Sequence, residues 1–472
     1  MDAVVLYKDA CLASLPPEWA EDLLPGIQAR VKTADHRIVI LDDDPTGTQT
    51  VHGLPVLTTW SVPTLRQALQ EPGPGFFILT NSRSLEREAA CVRSMEIGMN
   101  LQTAAELAGT PIEVISRSDS TLRGHFPHEV DAVAKAMGTE KRPYLIMPFF
   151  PEGGRLTINN VHYVAEEENL VPAAMTAYAQ DAAFGYQHSD LKQWVAEKTG
   201  GRIPAESVCA ITLDDIRKGG PERVGNVLNS VRDDTACIVN AVSYRDVEVL
   251  VAGLAMAAAT GRRFLFRTAA AFVRVMAGIE PRADFLSREE LVTDTPAGGL
   301  FVVGSYVPKT TAQVLALLEQ TDIEPVEVGV TRLLADTGPD AEVEQAAKRV
   351  NSLLAAGRDV ALYTSRELIT GADARTSLDI GQVVSHSLIR IVQALDHQPR
   401  YLVAKGGITS SDVATQGLGV QRAQISGQVL PGVPVWQLEN DSRYPGMSYI
   451  VFPGNVGDDN ALVTIQNRLA RG

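Results

Sequence analysis

Short runs of β-branched and aromatic residues alternate with longer amphipathic stretches along most of the chain. In the first half such runs fall at Arg37-Leu41, Phe76-Thr80, Ile112-Ser116, Tyr144-Pro148, Ser207-Thr212, Ala236-Asn240 and Arg263-Arg267. The second half adds Leu300-Gly304, Pro325-Val330, Asp359-Thr364, Arg400-Lys405, Val433-Leu438 and Ser448-Pro453. Helical spacing separates them, as at Thr64-Gln70, Glu86-Leu107, Pro127-Met137, Thr310-Gln320, Asp340-Ala356 and Asp379-Asp396. Apolar strands alternating with crossover helices predict mostly parallel sheets with both faces covered. The fold class expected is α/β, in two domains, each a mostly parallel sheet covered by helices. Between the halves, Pro281-Gly299 is polar and marked by Pro and Gly, as linkers are. The expected division is an N-terminal extension at 1–34, a first domain at 35–285, a linker at 286–298 and a second domain at 299–472. Residues 1–34 are expected to pack as helix and loop on the outside.

Composition narrows this picture. The 472 residues carry 42 basic and 57 acidic side chains, a net charge of −15. With 45% hydrophobic and 21% charged residues the chain can bury large cores, which excludes disorder and disulfide-stapled scaffolds. The acidity argues against nucleic-acid and anionic-membrane partners, which need a basic surface. Cys11, Cys91, Cys209 and Cys237 have no metal-ligand spacing. With no signal-peptide core and no membrane-length apolar run, a cytoplasmic protein is expected.

The polar residues that follow each strand carry the chemistry. In open α/β sheets ligands bind beyond the carboxyl ends of the strands. There the chain places Asp42-Asp43-Asp44-Pro45-Thr46-Gly47, then Asn81-Ser82-Arg83-Ser84. Next come Arg117-Ser118-Asp119-Ser120-Thr121-Leu122-Arg123-Gly124-His125 and Phe149-Phe150-Pro151-Glu152-Gly153-Gly154-Arg155. Arg83, Arg117, Arg123 and Arg155 offer planar donor forks suited to carboxylate or phosphate. Asp43, Asp44 and Asp119 can accept from sugar hydroxyls, and one can take a proton. The competing reading is local: Asp44 or Asp119 capping its own turn, and Asp42 purely structural. The arrangement points to a small polyhydroxylated anion.

Beyond the strands of the second half lie glycine turns: Gly304-Ser305, Lys405-Gly406-Gly407-Ile408-Thr409-Ser410-Ser411, and Pro453-Gly454. Such turns entering a helix present free N–H groups to phosphate, with Lys405 adding a charge. No GxxxxGK[ST], GxGxxG or HExxH occurs. Of the histidines, His125 and His162 can reach the first site from its loops.

Five stretches together carry a resemblance: DDDPTGTQT (42–50), NSRS (81–84), SRSDSTLRGHF (116–126), FPEGGRLTINNVHYV (150–164) and KGGITSSDVA (405–414). In this order they resemble the four-carbon acid sugar kinase family. The resemblance implies an N-terminal substrate domain and a C-terminal nucleotide domain, with the active site in the cleft between them. It implies ATP-dependent phosphorylation of a hydroxyl of a sugar acid such as threonate or erythronate. Asp43, Arg83, Arg117, Ser118, Asp119 and Ser120 would bind the sugar acid, with Arg155 added from the chemistry above. Ser305, Gly406, Gly407, Ile408, Thr409, Ser410 and Gly454 would hold ATP. Mg²⁺ would bridge the phosphates, its protein ligands unassigned. Asp43, then Asp44 or Asp119, is the expected catalytic carboxylate. Both ligands are anions, so an acidic shell around a basic cleft is expected. A sugar-acid dehydrogenase and a non-catalytic sensor are the alternatives, and a homodimer is one option for assembly.

Overall fold

The structure is a computed structural model. It describes residues 4–282, 284–305, 307–335, 338–366, 369, 374–454 and 456–470, with the backbone alone for 374–379. Tyr306 and Asn455, which belong to two of the glycine turns, lie outside the described residues. The chain divides into two compact units, 1–54 with 59–281, and 55–58 with 282–472.

The first unit is built on a parallel sheet whose strands run in the order Cys209–Ile211, Ala236–Val239, Tyr144–Met147, Leu265–Thr268, Ile112–Arg117, Arg37–Asp42, Gly75–Leu79. Ile38, Val39, Ile40, Phe76, Phe77 and Ile78 are buried, as expected where helices cover both faces. Strand Arg37–Asp42 sits between Gly75–Leu79 and Ile112–Arg117. The chain therefore reverses its direction of winding at this strand, which makes a topological switch point beyond its carboxyl end.

A four-stranded antiparallel sheet lies beside it: Leu6–Tyr7, Asn169–Pro172, Val161–Glu166 and Arg155–Ile158. Its hairpin turns at Asn159 and Asn160, both at positive φ (50° and 70°), a conformation Asn tolerates and tight hairpins need. The N-terminal segment corrects the expectation of helix and loop alone. Leu6–Tyr7 is a strand of this sheet, followed by helices Lys8–Ala13 and Leu24–Thr33.

The second unit runs Pro55–Leu57, Arg422–Leu430, Val433–Leu438, Ser448–Phe452, Leu402–Lys405, Leu300–Val303, Val360–Thr364, Glu324–Val328. From Ser448–Phe452 onward the pairs are parallel; before it they are antiparallel. Pro55–Leu57, though early in sequence, pairs with Arg422–Leu430. Strand Leu300–Val303 lies between Leu402–Lys405 and Val360–Thr364, so a second switch point falls where Gly304 and Gly406 sit.

The arginine of one buried ion pair ties the N-terminal segment to the rest of the first unit. The Arg217 guanidinium donates to both Asp246 oxygens at 2.7 and 3.0 Å and to the Pro16 carbonyl at 2.7 Å. Asp246 is fully buried and also accepts from the Val242 and Ser243 amides. Arg217→Met strands that carboxylate and is expected to cost about 3–5 kcal/mol. Urea unfolding reads the effect; a loss below about 1 kcal/mol, the size of an exposed pair, contradicts it.

Candidate functional site

At the first switch point the carboxyl ends of Arg37–Asp42 and Ile112–Arg117 open side by side, and the loops between strand and helix converge. Asp42 pairs with Arg117 Nη1 at 3.2 Å. Asp44 takes Arg83 Nη2 at 2.6 Å and caps the following turn by accepting from the Thr46 amide at 2.9 Å. Asp119 takes Arg83 Nη1 at 3.0 Å, Arg123 Nε at 3.0 Å and the Thr121 amide at 3.1 Å. The local capping readings of Asp44 and Asp119 thus hold together with their place in the cluster.

Asp43 differs from its neighbours. It is buried, and neither carboxylate oxygen has a hydrogen-bond partner among the described residues. Arg117 and Arg83 face it only at 3.9 and 4.0 Å. Gly124, at φ +114°, leaves its own flank open: a Cβ there would come within 3.2 Å of Asp43.

These surroundings separate the carboxylates electrostatically. Burial raises Asp43 above the ordinary carboxylate range, against the pull of Arg83 and Arg117. Burial pushes Asp42 up to about 8, with Arg117 opposing. At Asp44 burial is outweighed by Arg83 and Thr46, and at Asp119 by Arg123 and Arg83; both are held low. Two carboxylates held low stand beside two carboxyls that burial raises, a separation suited to acid–base work.

The donor forks expected for a ligand are already engaged within the protein. Arg83, Arg117 and Arg123 are each paired with carboxylates, which offsets the cost of burying their charge. Arg155 stands further out, its guanidinium over the Tyr178 ring and Nη2 donating to the Tyr178 hydroxyl at 3.1 Å. Tyr178 also receives Arg123 over its ring, which links Arg155 to the cluster. Ser118 and Ser120 are buried in the same loop; the Ser120 carbonyl meets His162 Nε2 at 2.7 Å. His125 contacts the Ser82 and Leu85 carbonyls, so both histidines brace loops.

Two residues of the cluster escaped the sequence reading. Arg267 is fully buried and donates to the Asp119 and Arg123 carbonyls at 3.0 Å each, holding that loop. Its position at the end of an apolar strand was the available signal. Glu129, in the first turn of helix His128–Ala136, is pushed by burial to about 7, with the Asp43 charge adding to the rise. Nothing in its spacing marked it.

In the second unit the three glycine turns abut. A Cβ on Gly304 would lie 2.4 Å from Thr409 Oγ1, and one on Gly406 (φ +117°) 3.1 Å from Ser305 Cβ. Thr310 Oγ1 joins Ser305 Oγ at 3.3 Å and donates to the Gly454 carbonyl at 3.2 Å. Helix Gly407–Asp412 starts here, so the Gly407, Ile408 and Thr409 amides lack intrahelical partners. The Ser410 hydroxyl is turned inward to the Ala404 carbonyl at 2.7 Å, its amide donates to the Gly406 carbonyl at 2.8 Å and its carbonyl accepts from the Tyr449 hydroxyl at 2.6 Å, so Ser410 braces the turn. Arg366, also missed in the sequence, donates to the Ser305 carbonyl at 2.7 Å.

Lys405 corrects a further expectation. Its ammonium is buried, donating to the Pro453 and Gly454 carbonyls at 2.6 and 3.1 Å and lying 3.9 Å from the Phe452 ring centre. Burial, with Lys309 nearby, lowers it to about 7. It tethers the third glycine turn instead of offering a free charge.

Two α/β units, each with polar loops gathered at a switch point, define the class of protein. A family model described as a sugar-binding N-terminal domain matches residues 38–276, and one described as a nucleotide-binding C-terminal domain matches 300–462. The chain belongs to the four-carbon acid sugar kinase family. It is 29% identical over 167 residues to D-erythronate kinase of Heliobacterium modesticaldum, a match spanning 32% of this chain and 37% of that protein. The fold is shared with a Salmonella typhimurium LT2 protein provisionally described as a tRNA synthase (TM-score 0.66, 18% identity, 91% of this chain and 98% of that one). It is also shared with Haemophilus influenzae protein HI1011 (TM-score 0.63, 18% identity, 91% and 100%). No helix among the described residues is long and apolar enough to cross a membrane.

Two outcomes test this geometry. A Cβ on Gly47 would sit 2.0 Å from both Asp42 oxygens, so Gly47→Ala must displace the loop, costing about 1–3 kcal/mol. An unchanged melting temperature contradicts this. Because Glu129 is raised from 4.5 to about 7, its contribution is intact below pH 4.5 and lost as pH rises through 7. Glu129→Gln should therefore flatten the fall in stability across that window, and an unaltered pH profile contradicts it.

Proposed function

We propose that the protein is an ATP-dependent kinase that phosphorylates a hydroxyl of a small four-carbon or related sugar acid. The observation that carries this reading is Asp43: a buried carboxylate, without a hydrogen bond among the described residues, facing two guanidiniums in the unit matched by the sugar-binding model. A carboxyl raised by burial above the ordinary carboxylate range, with open acceptor oxygens, is suited to orient and deprotonate an attacking alcohol. Asp44 and Asp119, held ionised, fix Arg83 from both sides, and Asp119 fixes Arg123 as well. Arg83 and Arg123 are the more accessible guanidiniums of the cluster, and they face the substrate carboxylate in this reading. Arg117 acts from beneath, and Ser118, Ser120 and Arg155 complete the sugar-acid pocket.

In the second unit, the amides of Gly407, Ile408 and Thr409 would take the nucleotide phosphates, with Ser305, Ser410 and Gly454 shaping the site and the Gly406 amide already committed to the Phe452 carbonyl at 2.8 Å. The abutting turns and their free amides fit such a group, since a side chain at Gly304 or Gly406 would fill the cradle. No cluster of three or more metal-binding side chains occurs among the described residues, consistent with Mg²⁺ carried largely by nucleotide phosphates. Mg²⁺ would supply charge neutralisation of the phosphates. The reading requires the two ligands to meet with water excluded, since water competes as acceptor.

The test separates the two sides. Asp43→Asn should lower sugar-acid-dependent ADP release at least about 100-fold while leaving ATP binding intact. Gly407→Asp should abolish ATP binding while sugar-acid binding persists. Equal loss of both activities in Asp43→Asn overturns its role. Stabilisation of the wild type by NAD and not by ATP overturns the kinase reading.

A further inference from the structure

Strand Ile112–Arg117 lies inside the parallel sheet, paired on both edges, where full coverage is the rule. Its alternate residues Ile112, Val114 and Ser116 share one face, and all three are only partly buried. What they face is a cavity of about 360 Å³, within the range of small-ligand pockets. Helix His128–Ala136 roofs it with Val133 and Ala134, and Phe266 of the neighbouring strand extends its apolar wall. The cavity runs the length of the strand. At the carboxyl end it reaches Asp43, Arg117 and Glu129, from beneath the candidate site; at the amino end it reaches His36, Glu113, Arg142 and Arg263.

The two ends differ in what they lack. At the outer end the Arg142 guanidinium makes no hydrogen bond or ion pair among the described residues, and Arg263 donates only to the Ala258 and Arg262 carbonyls. Glu113 lies 3.9 Å from His36 and within electrostatic reach of Arg142 and Arg263, and burial weakens its ionisation. Asp35 at the rim is exposed. Two guanidiniums, that of Arg142 without a hydrogen bond among the described residues, thus face one weakened buried carboxyl. The middle is apolar, and a four-carbon polyol acid has no apolar body to place there.

We propose that this cavity is a second ligand site, distinct from the sugar-acid site above it, that binds a small amphipathic carboxylate. Its apolar body lies along Val114, Val133 and Phe266, and its carboxylate meets Arg142 and Arg263 at the mouth. Because Asp43 and Glu129 form the inner wall, a bound ligand removes water from beneath the candidate base, which couples the two sites. The binding itself does not depend on the kinase reading, so either can fail without the other.

Isothermal titration of the full-length protein with octanoate tests it, with 1-octanol and D-erythronate as the uncharged and polar arms. Octanoate should bind saturably, one per chain. Arg142→Glu, on the exposed rim, should weaken it about tenfold or more, and Val133→Trp should fill the cavity and abolish it. Should Val133→Trp fail to fold, Arg142→Glu alone decides. No saturable octanoate binding, or binding unaltered by Arg142→Glu, overturns the proposal. Octanol binding as tightly as octanoate overturns the anionic head, and competition by D-erythronate overturns the separation of the two sites.

Discussion

The rest of the first unit depends on one constraint: several carboxylates and guanidiniums are buried together at the end of two adjacent strands. Interior charge is tolerated only when it is paired and hydrogen-bonded. Asp42 with Arg117, Asp44 with Arg83, and Asp119 with Arg83 and Arg123 meet that condition. Arg267 meets it through loop carbonyls. Asp43 does not: Arg83 and Arg117, which face it at 4.0 and 3.9 Å, are engaged with Asp44, Asp119 and Asp42. The pairing of the others is what leaves this one carboxylate poised.

The second unit solves the complementary problem without surplus charge. Its loops approach so closely that side chains are excluded at Gly304 and Gly406, and helix-start amides supply the donors. Lys405, the one cation that the glycine turn carries in sequence, is spent inside on the Pro453 and Gly454 carbonyls. Anion binding by amides needs no basic patch. Under the proposed function, that would reconcile a chain of net charge −15 with two anionic ligands.

Much of this was legible in the chain. Parallel strands announce themselves by apolar runs, and the residues after each run are the residues at each switch point. What stayed hidden depended on partners remote in sequence. Arg117 and Arg83 look like free forks until the fold sets them against Asp42, Asp44 and Asp119. Glu129 is an ordinary helix glutamate until burial near Asp43 shifts it. Arg155–Ile158 and Val161–Glu166 could have been found from the Asn159-Asn160 turn. The strict alternation of Arg422–Leu430, buried at every second residue, was likewise a readable strand signal. Pro55–Leu57 is too short to stand out and is a strand only because Arg422–Leu430 pairs with it.

The central claim is that Asp43 is a buried carboxyl lifted above the ordinary range, unlike Asp44 and Asp119 beside it. Carboxyl ¹³C NMR on aspartate-labelled protein reads this directly, with Asp43→Asn supplying the assignment. The predicted result is one resonance, missing in Asp43→Asn, whose titration lies above 3.8, the ordinary aspartate value. A resonance assigned to Asp43 that titrates at or below that value contradicts it.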